Sequence, residues 1–138
     1  MPAFLADKSA IVHLAKPVIA SRLIPLIMAG EIATCGIIEL EILYSARREK
    51  DLVETRKERS LAYPRVPMTE QDFARAEDVL TLLAKSGHHR AVSLPDLLIA
   101  AVAERAGLTV LHYDADFDIV ASTTRQPTEW IAPRGSLS

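Results

Sequence analysis

Apolar residues along this chain fall into short branched runs and longer stretches of helical spacing, with Gly, Pro and capping residues at the changes between them. Phe4-Leu5-Ala6 is a short apolar run that stops at Asp7. Ser9 to Gly30 keeps an apolar face through Ile19, Leu23, Leu26 and Ile27, which predicts two helices broken near Pro17. Ile32 to Cys35 predicts a second strand, after which Gly36 opens a helix running from Ile37 to Ala46. Thr69 followed by Asp72 reads as a capping box for a long helix whose apolar face holds Phe73, Ala76, Leu80 and Leu83 and which ends at Gly87. The same start recurs at Ser93 and Asp96, with Pro95 in the first turn, where a missing N–H costs nothing. Leu97 to Ala103 is almost wholly apolar, Gly107 stops the helix, and Leu108 to Leu111 has the branched, continuous character of a buried parallel strand. A short helix over Ile119 to Ser122 and an edge strand over Glu129 to Ile131 complete the pattern, with 133–138 expected to fray.

Strands near 3–7, 32–35 and 108–112 alternate with helices long enough for crossovers, which predicts an α/β chain of three layers, α/β/α, around a central parallel sheet. The 138 residues make a single domain, 1–138, with no repeat or linker. Apolar residues at 49% and charged residues at 25% describe a globular rather than a disordered chain. The net charge of −2 gives no overall basic character, so a nucleic-acid surface must be local. The most apolar region, Pro17 to Gly30, contains Ser21, Arg22 and Pro25 and is no membrane span, and Asp7-Lys8 interrupts any leader-like run. The single cysteine, Cys35, excludes an internal disulfide, fits a cytoplasmic location and reads as core.

The candidate chemistry lies in the acids. Asp7 and Asp114 follow the carboxyl ends of strands, where open α/β sheets place their ligands, and Glu41 and Asp96 lie in the early turns of helices. Asp116 and Asp118 crowd the same turn as Asp114. Each alone also reads as a helix cap or turn residue; together they would repel in a partly dry pocket unless a cation held them. Hard cations such as Mg²⁺ or Mn²⁺ take carboxylate oxygens. Glu39 and Glu41 are two apart and point about 200° from each other on a helix. One of them serves a given site, and the other is expected to reach solvent.

Arg47 to Arg59 is a mixed-charge run that reads as a solvated helix face. His88 and His89 are adjacent but lack a third partner at ligand spacing, so they read as exposed loop residues.

Four stretches together resemble the PIN domain, and specifically the VapC toxins of bacterial toxin–antitoxin pairs: Asp7-Lys8-Ser9, Glu41 to Ala46, Asp96 to Ala101, and Asp114 to Phe117. The resemblance spans nearly the whole chain. The family has a small residue four positions after its glutamate, which Ser45 supplies for Glu41 while Glu39 has Leu43 there. Lys8 and His112 stand where the family usually has threonine, and His112 reads either as orienting an acid or a metal-bound water or as a structural residue of the strand end. The resemblance implies a Mg²⁺-dependent (or Mn²⁺-dependent) endoribonuclease toxin, a homodimer, inhibited by a VapB-type antitoxin. Asp7, Asp96 and Asp114 would hold the metal, with Glu41 and Asp116 completing the catalytic set. RNA phosphates would meet Ser9, Arg47, Arg48, Lys85, Arg90 and His112 at the rim. An antitoxin tail is expected in a groove beside the helix at 37–60, delivering a basic side chain to the carboxylates. Two alternatives stand beside this reading: a non-catalytic RNA-binding PIN-like domain, and an aspartate-nucleophile phosphatase whose DxD motif Asp114-x-Asp116 imitates.

Overall fold

The computed structural model describes residues 1–137. Four parallel strands form one sheet in the order β2-β1-β3-β4: β1 (Phe4–Ala6), β2 (Ile32–Ala33), β3 (Thr109–His112) and β4 (Thr128–Trp130). Around it lie α1 (Lys8–Ile11), α2 (Pro17–Met28), α3 (Gly36–Tyr44), α4 (Glu49–Ala62), α5 (Glu70–Ala84), α6 (Leu94–Ala106) and α7 (Asp116–Thr124). Successive strand residues face opposite sides of the sheet, and the two sides bury different helices. Leu5 and Val110 pack with Ile38 of α3, Ile99 and Val102 of α6 and Phe117 of α7. Ala6, Ile32 and Leu111 pack with Ala10 of α1 and Ile19 and Leu23 of α2. These are the three expected layers. A third cluster, Val79, Leu83, Leu97 and Val120, fixes α5 and α7 against α6.

Because all four strands run the same way, their carboxyl ends meet at one edge of the sheet. β1 pairs with β3 from Phe4 opposite Thr109 to Ala6 opposite Leu111, and the Asp7 N–H extends the ladder by donating to the Leu111 carbonyl at 2.9 Å. Asp7 is thereby fixed directly beside the exit of β3.

Several expectations shift. The last helix begins at Asp116 rather than Ile119, which places Asp116 and Asp118 in its first turn, where the positive end of the dipole favours them. The tail expected to fray is anchored: the Leu137 N–H donates to the Tyr113 hydroxyl at 2.9 Å, and its side chain packs against the second cluster. Only Ser138 of that segment lies outside the described residues. Phe73, expected on a buried face, is 46% exposed. The 47–59 run is helical from Glu49 onward and mostly exposed, but Arg59 is buried.

Candidate metal centre and the groove beside it

The two Ser/Thr-x-x-Asp starts provide an internal comparison. At α5 the capping box is complete: the Asp72 carboxylate accepts the Thr69 backbone N–H at 2.8 Å, and Arg105 pairs with it at 2.7 Å. At α6 the Ser93 hydroxyl accepts from the Asp96 N–H at 3.4 Å, but the Ser93 backbone N–H goes to Asp116 at 3.1 Å. Asp116 does the work that the Asp96 carboxyl would do in a capping box. The Asp96 side chain is thus released from the helix end, and it is buried.

It turns instead toward Asp114 and Asp116. One carboxylate oxygen from each of the three lies within 4.8 Å of the others, the spacing of a cation's ligands. Asp114 is held in this arrangement by accepting the Asp116 N–H at 2.9 Å. Asp7 caps α1, and its Oδ2 accepts both the Ser9 N–H at 3.1 Å and the Ser9 hydroxyl at 2.6 Å. The Ser9 hydroxyl oxygen also accepts the Tyr113 N–H at 2.8 Å, so one serine ties the end of β1 to the end of β3.

The electrostatics describe acids crowded into one dry place. Burial pushes the Asp96 carboxyl up to about 8, reinforced by its contact with Asp116 and by the charges of Asp7 and Asp114. Burial also raises Asp7, against the lowering effect of its Ser9 bonds, and Asp114 adds to the rise. Glu41 is raised by burial and by Asp7 and Asp114, with Lys8 opposing. Its Oε1 is buried and has no hydrogen-bond partner among the described residues. Shared protons relieve such a cluster at neutral pH, and so does a divalent cation. The donor set is all carboxylate, which fits a hard cation.

Glu39 corrects an expectation. It does not reach solvent but is 8% exposed, held by two parallel 2.8 Å bonds from the Arg59 Nε and Nη2 and a further bond from the Thr34 hydroxyl. Burial, which would raise its pKa, is outweighed by Arg59 and Thr34, and the carboxyl is lowered. Arg59 also lies over the Tyr63 ring, 4.3 Å from its centre. The pair fastens the end of α4 to α3. Its signal in the sequence was Arg59 itself, one cation of a charged run that gives no sign of which member turns inward.

His112 corrects another. It is fully buried, between the rings of Phe117 at 5.0 Å and Trp130 at 4.9 Å, and cannot touch RNA. Its Nδ1 accepts the Asp114 N–H at 3.2 Å, which puts the ring proton on Nε2 and makes the histidine a support for the acidic turn. Burial lowers its pKa against the raising effect of Asp118, Asp7 and Asp114, so it stays neutral. Ser9 is likewise occupied in positioning Asp7. Arg47, Arg48, Lys85 and Arg90 are exposed, and among the described residues none is bonded to an acid of the cluster. Arg48 instead pairs with Asp51 at 3.2 Å.

A cavity of about 880 Å³ lies beside the acids rather than over them, between α3 and α4. The Glu39–Arg59 pair contributes to its lining, along with Leu40, Leu43, Tyr44 and Leu52. A shallower recess of about 270 Å³, lined by Lys8, Leu40, Glu41 and Tyr44, shares Leu40 and Tyr44 with it.

The profile of the PIN domain family matches residues 4–122, which takes in every acid of the cluster. The chain is a PIN domain. Among curated proteins it is 42% identical over 135 residues to ribonuclease VapC21 of Mycobacterium tuberculosis, covering 96% of both chains. It is 43% identical over 136 residues to ribonuclease VapC18 of the same organism, covering 97% of this chain and 98% of that one. It therefore belongs to the VapC group of PIN domains. A crystal structure of DNA-bound VapBC from Salmonella typhimurium has the same fold, with a TM-score of 0.77 at 16% identity over 96% of this chain and all of that one. The phosphatase alternative is overturned by this membership: the DxD acids of this chain belong to a PIN carboxylate cluster.

Proposed function

We propose that this protein is a metal-dependent endoribonuclease toxin of the VapC kind, with RNA as substrate and a VapB-type antitoxin as inhibitor. The observation that carries the reading is the release of Asp96 from its helix cap into a group with Asp114 and Asp116, because an acid is spared a structural duty and placed where its charge is costly. In this reading Asp96, Asp114 and Asp116 hold the cation, Asp7 borders them, and Mg²⁺ is the metal, with Mn²⁺ a substitute. When bound, such a cation supplies charge neutralisation and Lewis acidity for phosphodiester hydrolysis.

The chain's own residues supply the rest. Asp116 is engaged by Ser93 and Asp96, whereas Glu41 keeps a buried oxygen without a partner. We therefore assign Glu41 to orient the attacking water and accept its proton, a role suited to a carboxyl whose basicity burial and the neighbouring acids raise above the ordinary. Ser9 and His112 position Asp7 and the Asp114 turn without touching substrate.

The antitoxin tail occupies the α3–α4 groove, whose exposed Leu40 and Tyr44 suit an apolar segment, and a basic side chain from it reaches Glu41 past Lys8. A homodimer covers the apolar cleft between α5 and α6, where Phe73 and Leu94 are exposed. No helix of the described residues is long and apolar enough to cross a membrane, and the reading places the protein in the cytoplasm.

The test is cleavage of a mixed RNA by purified protein. Cutting with Mg²⁺, loss of cutting in excess chelator, and no cutting by Asp114→Asn are expected. Undiminished cleavage in chelator overturns the metal assignment.

A further inference from the structure

Lys8 is an unusual cation. It follows Asp7 at the first position of α1, beside a crowd of carboxylates, and it is the cation whose field opposes the rise of Glu41. Yet among the described residues no carboxylate lies within ion-pair distance of its ammonium. Its Nζ donates instead to the Ser45 hydroxyl. That hydroxyl is committed as an acceptor, because its own proton goes to the Glu41 carbonyl at 3.3 Å. Ser45 therefore holds the ammonium without neutralising it. An ammonium has three donors, and this tether uses one.

The other walls of the recess match what a nucleotide carries next to its phosphate. Tyr44 is 92% exposed and Leu40 66% exposed, both on α3 one turn or less from Glu41. An exposed aromatic ring gives a sequence-tolerant stacking surface for a base. A cation beside Glu41, at the border of the acidic cluster, offers a phosphate the attraction that the carboxylates deny it.

We propose that Lys8, tethered by Ser45, and Tyr44 form a nucleotide subsite flanking the cut: Lys8 takes a non-bridging phosphate oxygen and Tyr44 stacks the adjoining base. This rests on the ribonuclease reading and gives it a first contact with substrate. It also explains how binding in the groove excludes RNA, since Tyr44 lines both the groove and the subsite.

The experiment measures binding of a fluorescein-labelled, mixed-sequence single-stranded RNA of twelve nucleotides (about one binding site's length) by fluorescence anisotropy. It uses Asp114→Asn protein, which binds without cutting, across a salt series with Mg²⁺. Adding Lys8→Thr is expected to weaken binding about tenfold, as for loss of one charge-assisted hydrogen bond. The slope of log affinity against log salt should fall by about 0.7, one single-strand phosphate contact. Lys8→Arg should keep the slope. Tyr44→Ala should weaken binding about tenfold with the slope unchanged, and Tyr44→Phe should bind normally. Unfolding midpoints identify any variant that has lost its fold, and Lys8→Arg and Tyr44→Phe then carry the test. Affinity and slope unaltered by Lys8→Thr overturn the subsite while RNA cutting by the wild-type protein stands. A wild-type protein that cuts no RNA with Mg²⁺ overturns the ribonuclease reading beneath it.

Discussion

Replacing Asp96 with asparagine separates a carboxylate kept for chemistry from one kept for stability. In the folded, metal-free protein Asp96 is raised from an ordinary 3.8 to about 8. Between those values the folded chain holds a proton that the unfolded chain has lost, so stability falls as pH rises and levels off above the folded value. One such proton gives a slope of at most about 1.4 kcal/mol per pH unit. Asp7 and Glu41 are also raised, by burial first, and steepen the fall in the same direction. The asparagine keeps the backbone N–H that donates to the Ser93 hydroxyl, and the Ser93 N–H keeps its bond to the Asp116 carboxylate, so the cap survives. Urea unfolding in chelator at pH 5.5, 7 and 8.5 (roughly the span of the shift) is the assay. Wild-type stability should drop by a few kcal/mol across that range, while Asp96→Asn should be flatter and the more stable of the two at the alkaline end. Mg²⁺ should restore the wild type at high pH and do little for the variant. A wild type equally stable throughout, or a variant weaker at every pH, would refute the crowding of Asp96.

Two further outcomes follow from the paired glutamates and the groove. Glu39→Gln leaves the buried Arg59 without its carboxylate and should cost about 3 kcal/mol or more in unfolding measurements; Glu41→Gln should cost no stability at alkaline pH, where it removes a raised carboxyl, and should abolish most cleavage, read on RNA at equal folded fraction. Inhibition by the antitoxin should weaken as Mg²⁺ rises in a cleavage titration, and replacing the basic residue of its tail should restore cutting more than it loosens binding; inhibition indifferent to both would mean that the tail blocks RNA elsewhere.

Much of this molecule was legible because its signals are local. The helix starts at Thr69 and Ser93, the stop at Gly107 and the branched run before His112 each state their role within a few residues, and parallel strands then force the acids to one edge. What the sequence hid depends on pairing across the chain. Nothing near Arg59 shows that it lies against Glu39, twenty residues away. Nothing near Asp116 shows that it relieves Asp96 of its cap. Spacing shows that Glu39 and Glu41 face different ways, but it could not say that Glu39 would be buried: a helix face turned from one groove meets either solvent or another helix, and here it meets α4. The depth of His112 was hidden for a related reason, since nothing beside it shows that the rings of Phe117 and Trp130 close over it.

The central claim is that carboxylates and a divalent cation direct water at phosphorus, and the ends of the cut RNA test it most directly. Mass spectrometry of the fragments made with Mg²⁺ should find a 5′-phosphate on one side and a 3′-hydroxyl on the other, and a substrate with a 2′-O-methyl group at the cut site should still be cleaved. Fragments ending in a 2′,3′-cyclic phosphate and a 5′-hydroxyl would mean that the RNA's own 2′-hydroxyl attacks, and would contradict the account.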